Sequence, residues 1–369
     1  MQAQHAMLPE ATHDEFAREN FAATMRKYFT EEIFPGNRVL YNEQLLPEFR
    51  KQHGRAPATR NEVKDLLGKT FYYRAGSLLG RAAQELMWDV VGESVERQLE
   101  TLKARVPRGK TLGSLSVDPA LEIPDYVNAV DIHVMPGNFH GELGPDDVFA
   151  GALYDRGVYV FAYGGLGTLN DSLGESFGTF FKKQFPGMKP KRILDMGCGV
   201  GFSTLPFKDA FPDAEVYGID IAAPMVRYAH ARAEALGVPS HFSQQNAIHT
   251  NFPDGHFDLV YSALLHHEMP ARFIEGTITE AYRLLSPGGV MFHDGVRPRN
   301  GTDPLQLFLS GWFTSNINEP FTNSIYDIDF KALCKKADFR EEDLFEAEIE
   351  SVYLKGHLPP LKFRGAVKR

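Results

Sequence analysis

The run Asp195-Met196-Gly197-Cys198-Gly199-Val200-Gly201 follows the apolar stretch KRILDM and precedes a segment of helical character from Phe202. Glycines at alternate positions let a backbone turn tightly and approach a ligand without a Cβ collision. The free N–H groups of a following helix start suit a carboxylate or phosphate. The dinucleotide fingerprint G-x-G-x-x-G asks for glycine where Phe202 stands, whereas the third glycine here falls one residue earlier, at Gly201. A nicotinamide dinucleotide is therefore the weaker reading. Asp220 ends the next strand, 19 residues after Gly201, where an acidic side chain can accept from both ribose hydroxyls. Alone, the glycines would describe an ordinary strand-to-helix turn; Asp220 together with the later motifs tips the balance toward a ligand loop. Cys198 has no His or Cys partner at metal spacing and reads as a small loop side chain.

Further groups that could handle protons sit after later strands: His266, His267 and Glu268, then His293 with Asp294. All five fall near the ligand edge of a parallel sheet, and His267, His266 and His293 are the candidates for a catalytic base. Structural packing, helix capping or loop-shaping hydrogen bonds compete with that role. Asp131-x-His133 and His140-x-Glu142 contain metal-ligand residue types in a pattern with no defined template, so the expectation is no metal.

Three kinds of region must position these groups. Residues 12–106 read as four or five helices, with Phe16, Met25 and Phe29 near one face and a capping box at Thr59 and Glu62. From Pro107 to Pro145 glycine and proline dominate and helical periodicity disappears, which describes a long loop or irregular lobe able to fold over a ligand. In LYDRGVYVFAYGGLGTLND, the period-two placement of Tyr159, Phe161 and Tyr163 suits one buried strand face. From Lys191 strand and helix alternate through KRILDM, EVYGID, PMVRYAHARAEAL, SHFSQQN, FDLVYSA, FIEGTITEAYRLL and GVMFHD. That succession predicts an α/β fold with a doubly wound, mostly parallel sheet. The expected boundaries are 1–106 for an N-terminal helical domain, 107–170 for the lobe or lid and 171–369 for the ligand-binding domain, with the cofactor segment from Lys191 to Pro298.

These ordered motifs resemble the class I S-adenosylmethionine-dependent methyltransferases. Their first motif, an acidic residue followed by G-x-G-x-G, is matched by Asp195, Gly197, Gly199 and Gly201. The resemblance covers roughly residues 170–369 and implies a seven-stranded sheet of that family. It implies that Asp220 holds the ribose hydroxyls and that Ile221 packs on the adenine. Asn246, followed by Ala247, stands where an aspartate usually meets the adenine amino group; its amide carbonyl can still accept from it. Related small-molecule methyltransferases often close the pre-core segment over the cofactor, which brings Tyr154 or Tyr163 to the methionine carboxylate. Insertions after the fifth strand often build the acceptor pocket, here Phe308, Trp312 and Phe313 in LQLFLSGWFTSNINEPF, with helix packing or a subunit interface as the equal alternative.

The implied reaction is methyl transfer from S-adenosyl-L-methionine to a small, partly apolar metabolite, with O, N, C or S as acceptor. The competing readings are a cofactor-binding sensor or assembly subunit without transfer, and a nicotinamide oxidoreductase. Composition agrees with an enzyme: 369 residues, 43% hydrophobic and 24% charged, with a formal charge of -9. The acidic balance disfavours nucleic acid. No apolar run approaches a membrane span, no leader pattern is visible, and two cysteines do not make a disulfide framework. A cytoplasmic location is expected. A helical region without a catalytic motif commonly mediates association, so a homodimer is one expectation, or covers an active site.

Overall fold

The computed structural model describes residues 2–295, 303–322, 325, 328–349 and 361–369. Residues 296–298 of the expected cofactor segment, and the side chain of Asp294, lie outside the described part.

Helix α1 (His13–Tyr28) opens on a complete capping box between Thr12 and Glu15. A π turn leads to α2 (Phe34–Leu40) and another to α3 (Leu46–His53). The inward stripe of α1 is Glu15, Glu19, Ala22 and Arg26, while Phe16 stays 40% exposed. The expected apolar face of Phe16, Met25 and Phe29 therefore holds only for Phe29. The reason is paired charge. Glu15 takes two bonds from Arg97, and Glu19 receives the Arg156 guanidinium, so buried carboxylates find cations on neighbouring helices. Thr59 caps α4 (Arg60–Leu67), and the Glu62 carboxylate reaches back to the Ala58 N–H. Helix α5 (Phe71–Arg105) follows.

The 107–145 region is largely irregular but contributes β1 (Ser114–Ser116) and α6 (Asp125–Asn128). The expected strand around Tyr159 is instead α7 (Phe149–Phe161). Close helix packing overrides the period-two pattern there. A Cβ on Gly157 would lie 2.3 Å from the Trp88 ring, and one on Gly151 would lie 2.3 Å from Cβ of Tyr228. Glycine thus lets α7 lie tightly against its neighbours despite its low helix propensity. Helix α8 (Ser172–Gln184) precedes the sheet.

The remaining elements are β2 (Arg192–Met196), α9 (Leu205–Ala210), β3 (Glu215–Asp220), α10 (Ala223–Leu236), β4 (His241–Gln244), β5 (Phe257–Ser262), α11 (Ala271–Leu284), β6 (Leu285–Gly295), α12 (Pro304–Ser310), α13 (Trp312–Asn316), α14 (Phe330–Lys336), β7 (Leu344–Ile349) and β8 (Leu361–Val367). Strand order is β1-β4-β3-β2-β5-β6-β8-β7, with β8 antiparallel to both neighbours and the other pairs parallel. The sheet thus has eight described strands rather than the seven expected, because the lobe donates β1 to the edge beside β4. Chain order reverses between β2 and β5, the switch point beyond which α/β sheets hold ligands.

The N-terminal helices share a core with this sheet domain: Met87, Trp88, Val91 and Val95 pack with Val200, Met225 and Tyr228. Fully buried Asp155 on α7 accepts from Tyr228 Oη at 3.0 Å, Arg232 Nε at 3.2 Å and Gln2 Nε2 at 3.0 Å. Its carboxyl stays below the ordinary range because Arg232 and the hydrogen bonds outweigh burial. No helix among the described residues is long and apolar enough to cross a membrane.

Candidate functional site

The glycine loop leaves the C-terminal end of β2. Gly197, Gly199 and Gly201 all have positive φ, at 79°, 52° and 83°. In that conformation a Cβ is strained, which is why glycine recurs at alternate positions. The N–H groups of Gly197 and Cys198 both donate to the Ile219 carbonyl, at 2.8 and 2.9 Å, fastening the loop to β3. Asp220 closes the arrangement: one carboxylate oxygen accepts from Gly199 N–H at 2.9 Å and the other from Ala222 N–H at 3.0 Å. Burial raises the Asp220 carboxyl against these donors.

Asp195 faces the other way. Its buried carboxylate accepts from Ser203 Oγ at 3.1 Å and Thr204 Oγ1 at 2.7 Å, bracing the start of the following turn. Burial pushes its carboxyl up to about 7. Cys198 is buried with its thiol pushed well above the ordinary range by desolvation. Gly197, Gly199, Asp220 and Ile221 line an inner cavity of about 260 Å³, whereas Asp195, Cys198 and Gly201 are not among its lining residues. The opposite wall comes from Trp88 of α5, Tyr126, Phe139, and Tyr154 with Phe161 of α7. Tyr154 stacks on Phe202 with ring centroids 5.7 Å apart, and burial raises its phenol. Tyr163 lies elsewhere, 39% exposed, its hydroxyl 3.2 Å from Thr30 Oγ1. Asn246 and Ala247 do not line the cavity; the Asn246 amide oxygen accepts from Ile248 N–H.

The three candidate histidines separate. His266 is buried with Nε2 3.0 Å from Thr277 Oγ1 and its ring centroid 4.4 Å from that of His293. Burial pushes His266 down to about 3 and His293 well below its ordinary range, so both are held neutral. His293 Nδ1 lies 2.6 Å from Ser262 Oγ. Of the three, only His267 lines the inner cavity.

There His267 meets a residue from the lobe. His267 Nε2 and His133 Nε2 both approach Glu268 Oε1, at 3.0 and 2.9 Å, and His133 Nδ1 lies 3.0 Å from Glu319 Oε1. Burial would depress the His133 imidazole, but the two carboxylates raise it to about 10. Glu268 is held below the ordinary carboxylate range, burial being outweighed by the histidines. His133 has φ of 56° and Val134 of 51°, a conformation that costs on the order of 1–3 kcal/mol for a non-glycine residue. The surroundings hold it. The His133 carbonyl accepts from Trp88 Nε1 at 2.8 Å and Gln84 Nε2 at 3.2 Å, and Gln84 in turn accepts from Arg26 at 2.7 Å. Helices α1 and α5 thereby hold this strained backbone beside the inner cavity. The other residues of the Asp131, His133, His140, Glu142 pattern disperse, with Glu142 accepting from Arg227 at 2.8 Å.

Beyond His267 lies an outer cavity of about 620 Å³, more than twice the inner volume, walled by Phe34, Arg38, Leu309, Phe313 and Glu319. His267 and Leu264 border both cavities. Phe308 instead packs among α4 and its neighbours, and Trp312 is buried against Phe29 with Nε1 donating to Ser77.

Residues 193–289 match the family described as a methyltransferase domain. That match spans the glycine loop and strands β2 to β5. A demethylmenaquinone methyltransferase of Thermus thermophilus is 42% identical over 100 residues, covering 27% of this chain and 44% of that protein. Phosphoethanolamine N-methyltransferase 1 of Arabidopsis thaliana is 33% identical over 115 residues, covering 30% of this chain and 22% of that protein. The chain thus spans less than half the length of these curated relatives. A solved Haemonchus contortus phosphoethanolamine N-methyltransferase 2 is 17% identical, with 58% of each chain covered and a TM-score of 0.44.

The matched domain contains the glycine loop, Asp220, His266 and His267; His293 lies beyond it, and so do Trp88, Tyr126, His133 and Glu319. Those four complete the cavities, and Trp88, Tyr126 and Glu319 carried no local signal for that role. His133 was visible in the sequence only as part of a lobe pattern, and its partner Glu268 is 135 residues away.

Proposed function

We propose that this protein binds S-adenosyl-L-methionine in the inner cavity and transfers its methyl group to a small, partly apolar acceptor seated in the outer one. The observation that carries the reading is the shared boundary: His267 and Leu264 border both cavities, and the inner one is floored by the glycine loop, Asp220 and Ile221. In this reading Asp220 receives the ribose hydroxyls, Ile221 packs on the adenine and Tyr154 closes over the methionine end. The sulfonium methyl is intrinsically electrophilic, so the protein must chiefly hold an acceptor atom in line at roughly 3–3.5 Å and exclude water. The aromatic wall of Trp88, Phe139 and Phe161 serves exclusion, and the volume beyond His267 accommodates acceptor bulk.

Relatives named for menaquinone, tocopherol and fatty-acid methylation support an apolar small molecule as acceptor. The buried free thiols of Cys198 and Cys334 accord with a cytoplasmic location. Incubation with methyl-labelled S-adenosylmethionine and fractionated metabolites tests the reading. Label should move into an apolar small-molecule fraction. Cofactor binding with no transfer to any fraction would favour a sensor role.

A further inference from the structure

We infer that His133, His267 and Glu268 form a binding site for a divalent transition-metal ion, with Zn²⁺ as the ion best matched. A ligand atom from each residue lies within 4.8 Å of those from the other two, the only such group of three among the described residues. Two imidazoles and one carboxylate are the composition of catalytic zinc sites, which take three protein ligands and leave a fourth position for water or substrate. Bond lengths of about 2.0–2.1 Å around a tetrahedral ion place ligand atoms roughly 3.3 Å apart. The observed separations of 2.9 and 3.0 Å between the Nε2 atoms and Glu268 Oε1 need only a small opening to admit an ion.

The surroundings are built as metal-bound histidines require. Such a histidine generally offers its second nitrogen to a carboxylate, which fixes ring orientation and strengthens the ligand. Glu319 stands 3.0 Å from Nδ1 of His133 in that position. The ring is further fixed from behind by Trp88 and Gln84 on its own carbonyl. All three ligands line the inner cavity and His267 also borders the outer one, so the fourth position lies at the boundary between the two. A ligand atom of the acceptor, such as an oxygen or sulfur, would have access there. The linear spacing that argued against a metal compared His133 with Asp131, His140 and Glu142, whereas its folded partners come from the loop after β5.

Metal binding is measured without cofactor or acceptor, so the inference stands or falls separately from the proposed reaction. Full-length protein stripped with chelator and then freed of it is titrated with Co²⁺ and Zn²⁺. One Co²⁺ per chain should bind with visible d–d absorption of a four- or five-coordinate ion, and Zn²⁺ should displace it. Glu268→Gln and His133→Ala should abolish that spectrum. Glu319→Gln should keep the spectrum but weaken affinity roughly ten- to hundredfold, as an outer carboxylate does. Circular dichroism checks each fold, and His267→Gln, at a half-buried position, replaces any variant that fails to fold. Absence of stoichiometric binding to the wild type, or unchanged binding in folded Glu268→Gln or His267→Gln, would overturn the inference.

Discussion

The indole N–H of Trp88 donates to the backbone carbonyl of His133 across 2.8 Å. A residue in the middle of α5 thereby fixes a left-handed residue of the lobe, and through it the imidazole that meets Glu268 and Glu319. Trp88→Phe keeps the ring against Gly157 but removes the donor. The His133 carbonyl retains Gln84, so unfolding free energy should fall by about 0.5–1.5 kcal/mol. Urea denaturation with unchanged m-value would show this; an unaltered midpoint would mean that the bond contributes nothing to holding His133.

Deleting residues 2–105 should yield a protein that neither unfolds cooperatively nor binds S-adenosylhomocysteine. The deletion strips Met87, Trp88, Val91 and Val95 from the core they share with Met225 and Tyr228, and removes Gln2 from Asp155. Thermal unfolding of the truncated chain decides the matter. A cooperative transition would establish 106 as a true domain boundary.

Asp195 gives stability a pH dependence of unusual sign. Its carboxyl is pushed up to about 7 by burial, so between about pH 4 and 7 the folded state binds more protons than the unfolded. Stability from this group is therefore present at low pH and is lost as pH rises through that window, by on the order of 4 kcal/mol. In Asp195→Asn that contribution is absent, so the stability difference between variant and wild type should grow in the variant's favour from pH 4 to pH 8. Parallel stability curves from denaturant titrations would show that the buried carboxyl ionises without penalty.

Ser310 lies on the wall of the outer cavity and half-buried on α12. Ser310→Trp should fill that space. Methyl transfer to an apolar acceptor should drop at least tenfold, while S-adenosylhomocysteine affinity changes less than twofold. Parallel losses in both measurements would mean that the two cavities are not separate sites for acceptor and cofactor.

How much was legible in the sequence follows from how local each feature is. The glycine loop, Asp220 and the alternation of strand and helix are written in neighbouring residues, and they reappear with the expected order at the sheet edge. The family resemblance brings Tyr154 or Tyr163 to the cofactor, but the turn after α7 leaves Tyr163 outside the inner cavity, beside Thr30. The period-two pattern of Tyr159, Phe161 and Tyr163 misled because Gly151 and Gly157 permit a helix contact that only the partners Tyr228 and Trp88 reveal. The polar stripe of α1 was hidden for a similar reason, since Glu15 and Glu19 are buried only by virtue of Arg97 and Arg156. The strand β1 is three residues long and depends on β4 for its bonding. The meeting of His133 with Glu268 and Glu319 joins three distant segments, and nothing in their spacing encodes it.

Calorimetric titration with S-adenosylhomocysteine decides whether the cavity beside Asp220 is the cofactor site. Asp220 also holds Gly199 and Ala222, so its loss removes a ligand contact and loosens the loop together. A charge-assisted hydrogen bond contributes roughly 1.5–3 kcal/mol, which predicts a dissociation constant about tenfold to 150-fold weaker in Asp220→Ala. Exposed Glu43 in the N-terminal helical region serves as the control substitution. The wild type should bind at one site per chain, Glu43→Ala with unchanged affinity and folded Asp220→Ala with the stated loss. Wild-type failure to bind, or equal affinity in the Asp220 variant, would contradict it.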